Sequence, residues 1–152
     1  MATSIHPNSV TSGTTGTTRV STALTQPAYQ AFVILYAGFV VLPIVAGADK
    51  FFDLLVNWDA YLAPIVPQTL NISAHSFMMI VGVIEIAAGL LVAFWPSIGA
   101  YVVAFWLWGI IVNLMLVPGF YDIALRDFGL SLGALSLGRL SAQFSIRQLR
   151  TE

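Results

Sequence analysis

Cysteine is absent from this 152-residue chain, and charged residues are scarce, at 9% of the sequence. The lack of cysteine excludes disulfides, thiolate metal sites, covalently attached haem and any persulfide chemistry carried by this chain. The formal net charge is −1 and there is no basic tract, so nucleic acid is not expected as a partner. The two histidines, His6 and His75, are too far apart in the sequence to indicate a pair of metal ligands.

Apolar residues take the place of the missing charge. Hydrophobic residues make up 58% of the chain, and the charged fraction is far below the roughly 25% that is usual in soluble domains. One domain of this length cannot hide so much apolar surface inside itself. The sequence therefore predicts a protein that is embedded in a lipid bilayer, and we expect the cell (inner) membrane.

Four apolar segments follow a polar N-terminal stretch. Residues 1–27 are rich in serine and threonine and predict a disordered or loosely docked tail. Each later segment is long enough for a membrane-spanning helix of about 20 residues. The predicted fold is an all-α membrane protein in which residues 28–140 form a four-transmembrane-helix bundle and residues 141–152 form a short cytoplasmic tail. The candidate spanning segments are 28–50, 73–94, 98–116 and 121–140.

The first connection, residues 51–72, is the longest of the three. It is apolar enough to lie on the membrane surface or to fold back between helices, and its Trp58 suits an interfacial aromatic belt. Asp49, Asp53 and Asp59 are expected to be solvated at that surface. We call the half of the bundle that adjoins this connection the outer half.

Basic residues predict the orientation, because cytoplasmic ends of spanning helices carry an excess of lysine and arginine. The side that holds the termini has four such residues and the other side has two, so both termini are expected in the cytoplasm. The residues counted are Arg19, Arg139, Arg147 and Arg150 on the first side, and Lys50 and Arg126 on the second.

A carboxylate, Glu85, stands near the middle of the second segment. A charge at that depth costs several kcal/mol unless it is paired or protonated. Gly82 and Gly89 share its face of the helix and form a groove for close approach of another helix, so Glu85 is expected to point at protein. Its candidate cations are Arg126 in the fourth segment and Lys50 at the end of the first.

Other polar residues are expected at similar depth, within the outer half. A pair between Glu85 and Arg126 has two interpretations, a structural ion pair that sets helix register or a group that binds a ligand or handles protons. Trp106 and Trp108 are interpreted as packing or lipid-facing side chains, with stacking on a quinone ring as the alternative. No catalytic residue and no metal site is predicted. The predicted intramembrane polar cluster consists of Glu85, Arg126, Asp127, Lys50, Asn113 and His75, and the predicted packing glycines are Gly82, Gly89, Gly129 and Gly133.

Three short motifs resemble the DoxX-like family: Gly-Ala-Asp-Lys at 47–50, Gly-Val-Ile-Glu-Ile-Ala-Ala-Gly at 82–89 and Ala-Leu-Arg-Asp-Phe-Gly-Leu at 124–130. The resemblance covers about residues 28–140. It implies a four-helix membrane bundle and a link to membrane redox chemistry, since founding members belong to a thiosulfate:quinone oxidoreductase. The absence of cysteine speaks against thiosulfate oxidation by this chain. The polar residues that match by position are Lys50, Glu85, Arg126 and Asp127.

Two functions are weighed from these features. The first is a non-catalytic accessory subunit of a larger membrane redox complex, respiratory or photosynthetic, whose partners are the lipid bilayer and other membrane subunits. The sequence has no metal-ligand cluster and no redox cofactor motif, which favours this function. The second is a quinone-binding, DoxX-like redox protein with a polar pocket in the outer half. A small transporter ranks last, because it would need polar residues deep on both sides and preferably inverted repeats.

Overall fold

The computed structural model describes residues 26–149, and every regular element in that range is helical. Two parts of the chain lie outside the described residues. They are residues 1–25 of the predicted tail, which include His6 and Arg19, and residues 150–152, which include Arg150. In chain order the elements are α1 (Pro27–Asp49), a 3₁₀ turn (Trp58–Tyr61), α2 (Ile65–Leu70), α3 (Ala74–Phe94), α4 (Pro96–Met115) and α5 (Tyr121–Leu149).

Three of these helices, α1, α3 and α4, are long and apolar enough to cross a membrane. Many of their large apolar side chains are exposed on the outside of the protein, as lipid-facing side chains would be. These features indicate a multi-pass membrane protein. The fourth long helix, α5, is not in this group, since charged residues interrupt its apolar run. It continues to Leu149, so the helix extends past the predicted end at residue 140.

Local sequence explains where the long helices begin. Pro27 and Pro96 occupy the first positions of α1 and α4, where a missing N–H costs nothing. The Ser73 hydroxyl caps α3 by accepting a hydrogen bond from the backbone N–H of Ser76. Between α1 and α3, Asn71 ends α2 in the left-handed conformation that asparagine tolerates.

The long helices form a ring in which α1 packs along α3 and α4 packs along α5, while α3–α4 and α1–α5 contacts close it. The closest approach joins α1 to α3. A Cβ atom on Gly47 would lie 2.5 Å from the Gly82 carbonyl oxygen, and a Cβ on Gly82 would lie 2.6 Å from the Gly47 oxygen. Glycine at both positions is therefore what brings the end of α1 against the first half of α3.

The other predicted packing glycines differ in their surroundings. Gly89 lies against Ile44 and the Val40 carbonyl of α1, and Gly133 lies against the Phe39 ring. Gly129 has open space around its Cβ position. The inner half of the bundle is filled by an apolar core, whereas the outer half encloses a cavity. That core consists of Phe39, Ala88, Val92, Ala100, Val103, Ala104, Ala134 and Leu137.

Candidate functional site

A cavity of about 630 Å³ lies in the outer half, between the four long helices and the connection 51–72. Its wall is mostly aliphatic and aromatic. The few polar side chains in the wall include five members of the predicted cluster, contributed by the end of α1 and by α3, α4 and α5, and these are Lys50, Glu85, Asn113, Arg126 and Asp127. The fold therefore brings residues that are far apart in the sequence to the wall of one cavity.

A buried ion pair forms part of this wall. The Lys50 ammonium lies 2.6 Å from the Glu85 carboxylate, and the two side chains are 2% and 11% exposed. Lys50 Nζ also lies 3.5 Å from the Ala46 carbonyl oxygen and 3.6 Å from the centroid of the Trp58 ring. The pair is possible because the Gly47–Gly82 contact sets the last turn of α1 directly against α3. Of the two candidate cations, Lys50 is the partner of Glu85.

Asp49, next to Lys50, is buried and holds the start of the connection in place. Its carboxylate accepts hydrogen bonds from the backbone N–H groups of Leu54 and Leu55 and from Trp58 Nε1, the last at 2.7 Å. The expectation that Asp49 is solvated is therefore wrong. The reason is that the chain folds back over the end of α1 and supplies the N–H donors that a buried carboxylate needs. The same bonds position the Trp58 ring over Lys50.

Asn113 fixes the rest of the connection to α4. Its side-chain oxygen accepts a hydrogen bond from the Ala63 N–H at 3.0 Å, and its Nδ2 donates to the Tyr61 carbonyl at 2.7 Å. Ala63 and Leu62 are buried as a result. The connection thus closes the outer end of the cavity as a pinned cap.

The cavity is open at its side, between α1 and α5. Leu42 of α1 and Leu130 of α5 both line it, yet they are 58% and 38% exposed. Further in, these helices touch through Phe39 and Gly133, so the opening is confined to the outer half. The side chains at the edge of the opening are therefore apolar, like those of the lipid-facing surface.

Arg126 lies in the cavity wall, but two-thirds of its side chain is exposed. Its Nε lies 3.4 Å from the buried carboxylate of the neighbouring Asp127. Arg126 therefore does not reach Glu85. His75 does not line the cavity: it is exposed at the start of α3, and its Nδ1 lies 3.8 Å from Asp59.

Trp106 was interpreted from the sequence as a packing or lipid-facing side chain, but it is part of the site. It lines the cavity, and its indole Nε1 is buried with no hydrogen-bond partner among the described residues. It lies close to the Glu85 carboxylate. A signal was present in the sequence, because Trp106 is seven residues before Asn113 and so shares its helix face.

Residues 26–149 contain no group of three histidine, aspartate or glutamate side chains that is arranged to hold a metal ion. No family model matches the chain, and neither the curated proteins nor the solved structures include a significant match.

Proposed function

We propose that this protein binds a lipid-soluble molecule with a small polar head in the outer-half cavity, and that this molecule is a quinone. The observation that carries the proposal is a cavity of about 630 Å³ with a mainly apolar wall that includes the buried Lys50–Glu85 pair. Binding sites for small molecules typically have a volume of roughly 300–1,000 Å³, and they combine apolar walls with a few polar groups that orient the ligand. The side opening suits a ligand that arrives through lipid.

The residues of the wall fit such a molecule. Trp106 offers a flat apolar face, Trp58 carries the Lys50 ammonium over its ring, and side chains of the pinned cap line the outer end of the cavity. A bound quinone would supply reversible two-electron, two-proton chemistry. The wall holds two carboxylates, Glu85 and Asp127. Glu85, which Lys50 orients, is the one that we expect to hold a proton beside the quinone.

The first test is organic extraction of the purified protein, followed by mass spectrometry for quinones. We expect a quinone in stoichiometric amount. A cavity-filling variant, Gly109→Leu, should lose it, since Gly109 lines the cavity and has open space around its Cβ position. Gly129→Leu is the matched control, because Gly129 has similar space but does not line the cavity. Equal quinone content in both variants would contradict the proposal.

Glu85→Gln tests the redox part of the proposal. The variant keeps the size of the side chain and removes the acid, so we expect it to fold and bind quinone but to lose coupling between quinone reduction and proton uptake. Asp122→Asn, a carboxylate outside the cavity wall, is the control. Unchanged coupling in Glu85→Gln would remove Glu85 from the chemistry.

The second candidate is a non-catalytic accessory subunit of a larger membrane redox complex, respiratory or photosynthetic. It is supported by the large aromatic side chains that project outward, such as Phe94, Phe105 and Trp108, which suit a protein partner as well as lipid. A native gel of gently solubilised membranes, with mass spectrometry of the band, tests it. Migration with a large assembly supports a subunit, and migration as a monomer or small homo-oligomer contradicts it.

Both candidates assume that α5 also crosses the membrane and that both termini are cytoplasmic. The packing of α5 along α4 and against α1 supports the fourth crossing. The natural absence of cysteine allows a direct test with single introduced cysteines. In intact cells, Asp53→Cys should react with an impermeant thiol reagent, and Thr151→Cys should react only after the membrane is opened. The reverse pattern would invert the orientation, and reaction of both in intact cells would contradict the fourth crossing.

A further inference from the structure

Two hydrogen-bond donors in the cavity wall are accessible and unpaired. Tyr61 lines the cavity, and its hydroxyl makes no hydrogen bond with the residues that the structure describes, although it is not buried. Arg126 also lines the cavity, with 66% of its side chain exposed. Its Nε lies 3.4 Å from Asp127, and its two Nη groups have no partner in the described part of the chain. Both side chains can therefore donate to an incoming acceptor.

The other donors of the wall are already engaged. Trp58 Nε1 and the Asn113 amide are hydrogen-bonded within the protein. The Lys50 ammonium is held by the Glu85 carboxylate, a backbone carbonyl and the Trp58 ring. Trp106 Nε1 is buried beside the same carboxylate, where a molecule in the cavity does not reach it. The head of a ligand therefore meets only the two free donors.

The fold places both free donors near the outer end of α5. The centroid of the Tyr61 ring lies 4.9 Å from that of Phe120, the residue before α5, and the Tyr61 carbonyl is held by Asn113. Arg126 follows in the second turn of α5. Helical side chains lean toward the N-terminus of their helix, so Arg126 is directed toward the end of α5 that Tyr61 contacts. Leu130, at the edge of the side opening, lies one turn further along α5. A ligand whose tail occupies the opening would therefore have its head beside these donors.

We propose that the Tyr61 hydroxyl and the Arg126 guanidinium hold the head of the ligand by donating hydrogen bonds to its carbonyl oxygens. This inference rests on the proposed function, since it assigns residues to binding in the same cavity. A guanidinium only donates and a phenol can donate, so the two groups suit a head that carries acceptors. The charged side chains of the wall are two cations and two carboxylates, so their formal charges cancel and the wall favours an uncharged head over an anion.

In a rival arrangement the two residues have no role in the cavity. Arg126 then serves only Asp127 and the phosphates of surrounding lipids, and Tyr61 only packs against Phe120. Removal of either donor would leave the affinity for a ligand in the cavity unchanged. Ligand affinity therefore separates the two arrangements.

The experiment measures binding to the protein in phosphatidylcholine nanodiscs with two probes. The first is a benzoquinone with a decyl tail, and the second is decylbenzene, which has the same tail and a ring without oxygens. Tyr61→Phe removes the hydroxyl and keeps the ring that packs against Phe120. Its matched control is Tyr121→Phe, because Tyr121 is exposed at the same end of α5 and outside the cavity wall.

Arg126→Gln removes the second donor. Its matched control is Arg139→Gln, an exposed arginine of α5 that does not line the cavity. Arg126→Gln also removes the cation beside Asp127, so Tyr61→Phe is the variant that tests the proposal without disturbing an ion pair.

We expect Tyr61→Phe to weaken binding of the benzoquinone about 3- to 10-fold, and Arg126→Gln about 10- to 100-fold, since hydrogen bonds from charged donors are stronger. Binding of decylbenzene should not change, and both control variants should bind both probes as the wild type does. Wild-type affinity of Tyr61→Phe for the benzoquinone would overturn the proposal and leave the proposed function standing. Failure of the wild type to bind the benzoquinone would overturn both.

A second measurement reports the hydrogen bond itself. Infrared spectra of bound benzoquinone with and without ¹³C at its carbonyls give the carbonyl stretching band. The band should lie at lower frequency in the wild type than in Tyr61→Phe, because a hydrogen bond to the oxygen weakens the C=O bond. The same band position in both proteins would refute the assignment of Tyr61.

Discussion

The buried Lys50–Glu85 pair allows a sharp prediction about stability. Two unit charges 2.6 Å apart attract each other by about 6 kcal/mol at an effective dielectric constant near 20. Removing both charges from water costs several kcal/mol for each ion, so the net contribution of the pair is small. Loss of one partner is different, because it leaves the other charge buried alone and costs roughly 3–5 kcal/mol.

The surroundings of the two charges predict which single variant is worse. Lys50→Met leaves the Glu85 carboxylate without the ammonium that donates to it. Glu85→Leu leaves Lys50 with the Ala46 carbonyl and the Trp58 ring, and a cation–π contact of this kind contributes about 0.5–2 kcal/mol. Lys50→Met should therefore destabilise the protein by about 1 kcal/mol more than Glu85→Leu. The double variant should lie within about 1 kcal/mol of the wild type or be more stable.

The assay is reversible unfolding by SDS in mixed micelles, followed by circular dichroism, for the wild type, the two single variants and the double variant. Strong non-additivity is the expected result, since the two residues share one interaction. If the double variant loses as much stability as the two single variants together, the two charges are not coupled and the reasoning is refuted. Asp122→Asn, an exposed carboxylate at the start of α5, serves as the control and should change little.

The remaining predictions concern packing, the cap and the opening. Gly82→Ala should lower the free energy of unfolding by about 1–3 kcal/mol, because its Cβ would lie 2.6 Å from the Gly47 carbonyl oxygen. Gly129→Ala has open space around its Cβ, so the free energy of unfolding should stay the same or rise by up to about 1 kcal/mol. Equal effects at the two glycines would contradict the α1–α3 contact. Asn113→Leu breaks two bonds to the cap and should speed hydrogen exchange at residue 63, whereas unchanged protection there would show that the cap is held by other contacts. Arg126→Gln should destabilise the protein by about 1–3 kcal/mol, because it removes the cation beside the buried Asp127 carboxylate; unchanged stability would show that Asp127 does not depend on Arg126.

The linear sequence determined the class of the protein and most helix boundaries. Composition alone requires an apolar environment around the protein. Pro27, Ser73 and Pro96 mark helix starts through local backbone chemistry that needs no distant contact. The helical period also places Gly82 and Gly89 on the same face as Glu85, which is the face that α3 buries against α1.

Only the tertiary structure decided the partner of Glu85, the burial of Asp49 and the position of Trp106. Spacing along a chain gives the depth of a residue and its face on one helix, but it does not say which helix is adjacent. The predicted depths of Lys50 and Arg126 both allowed a pair with Glu85. The Gly47–Gly82 contact places Lys50 directly beside Glu85. Asp49 is buried because the connection folds back to supply donors at residues 54, 55 and 58, a contact between segments that no local pattern contains.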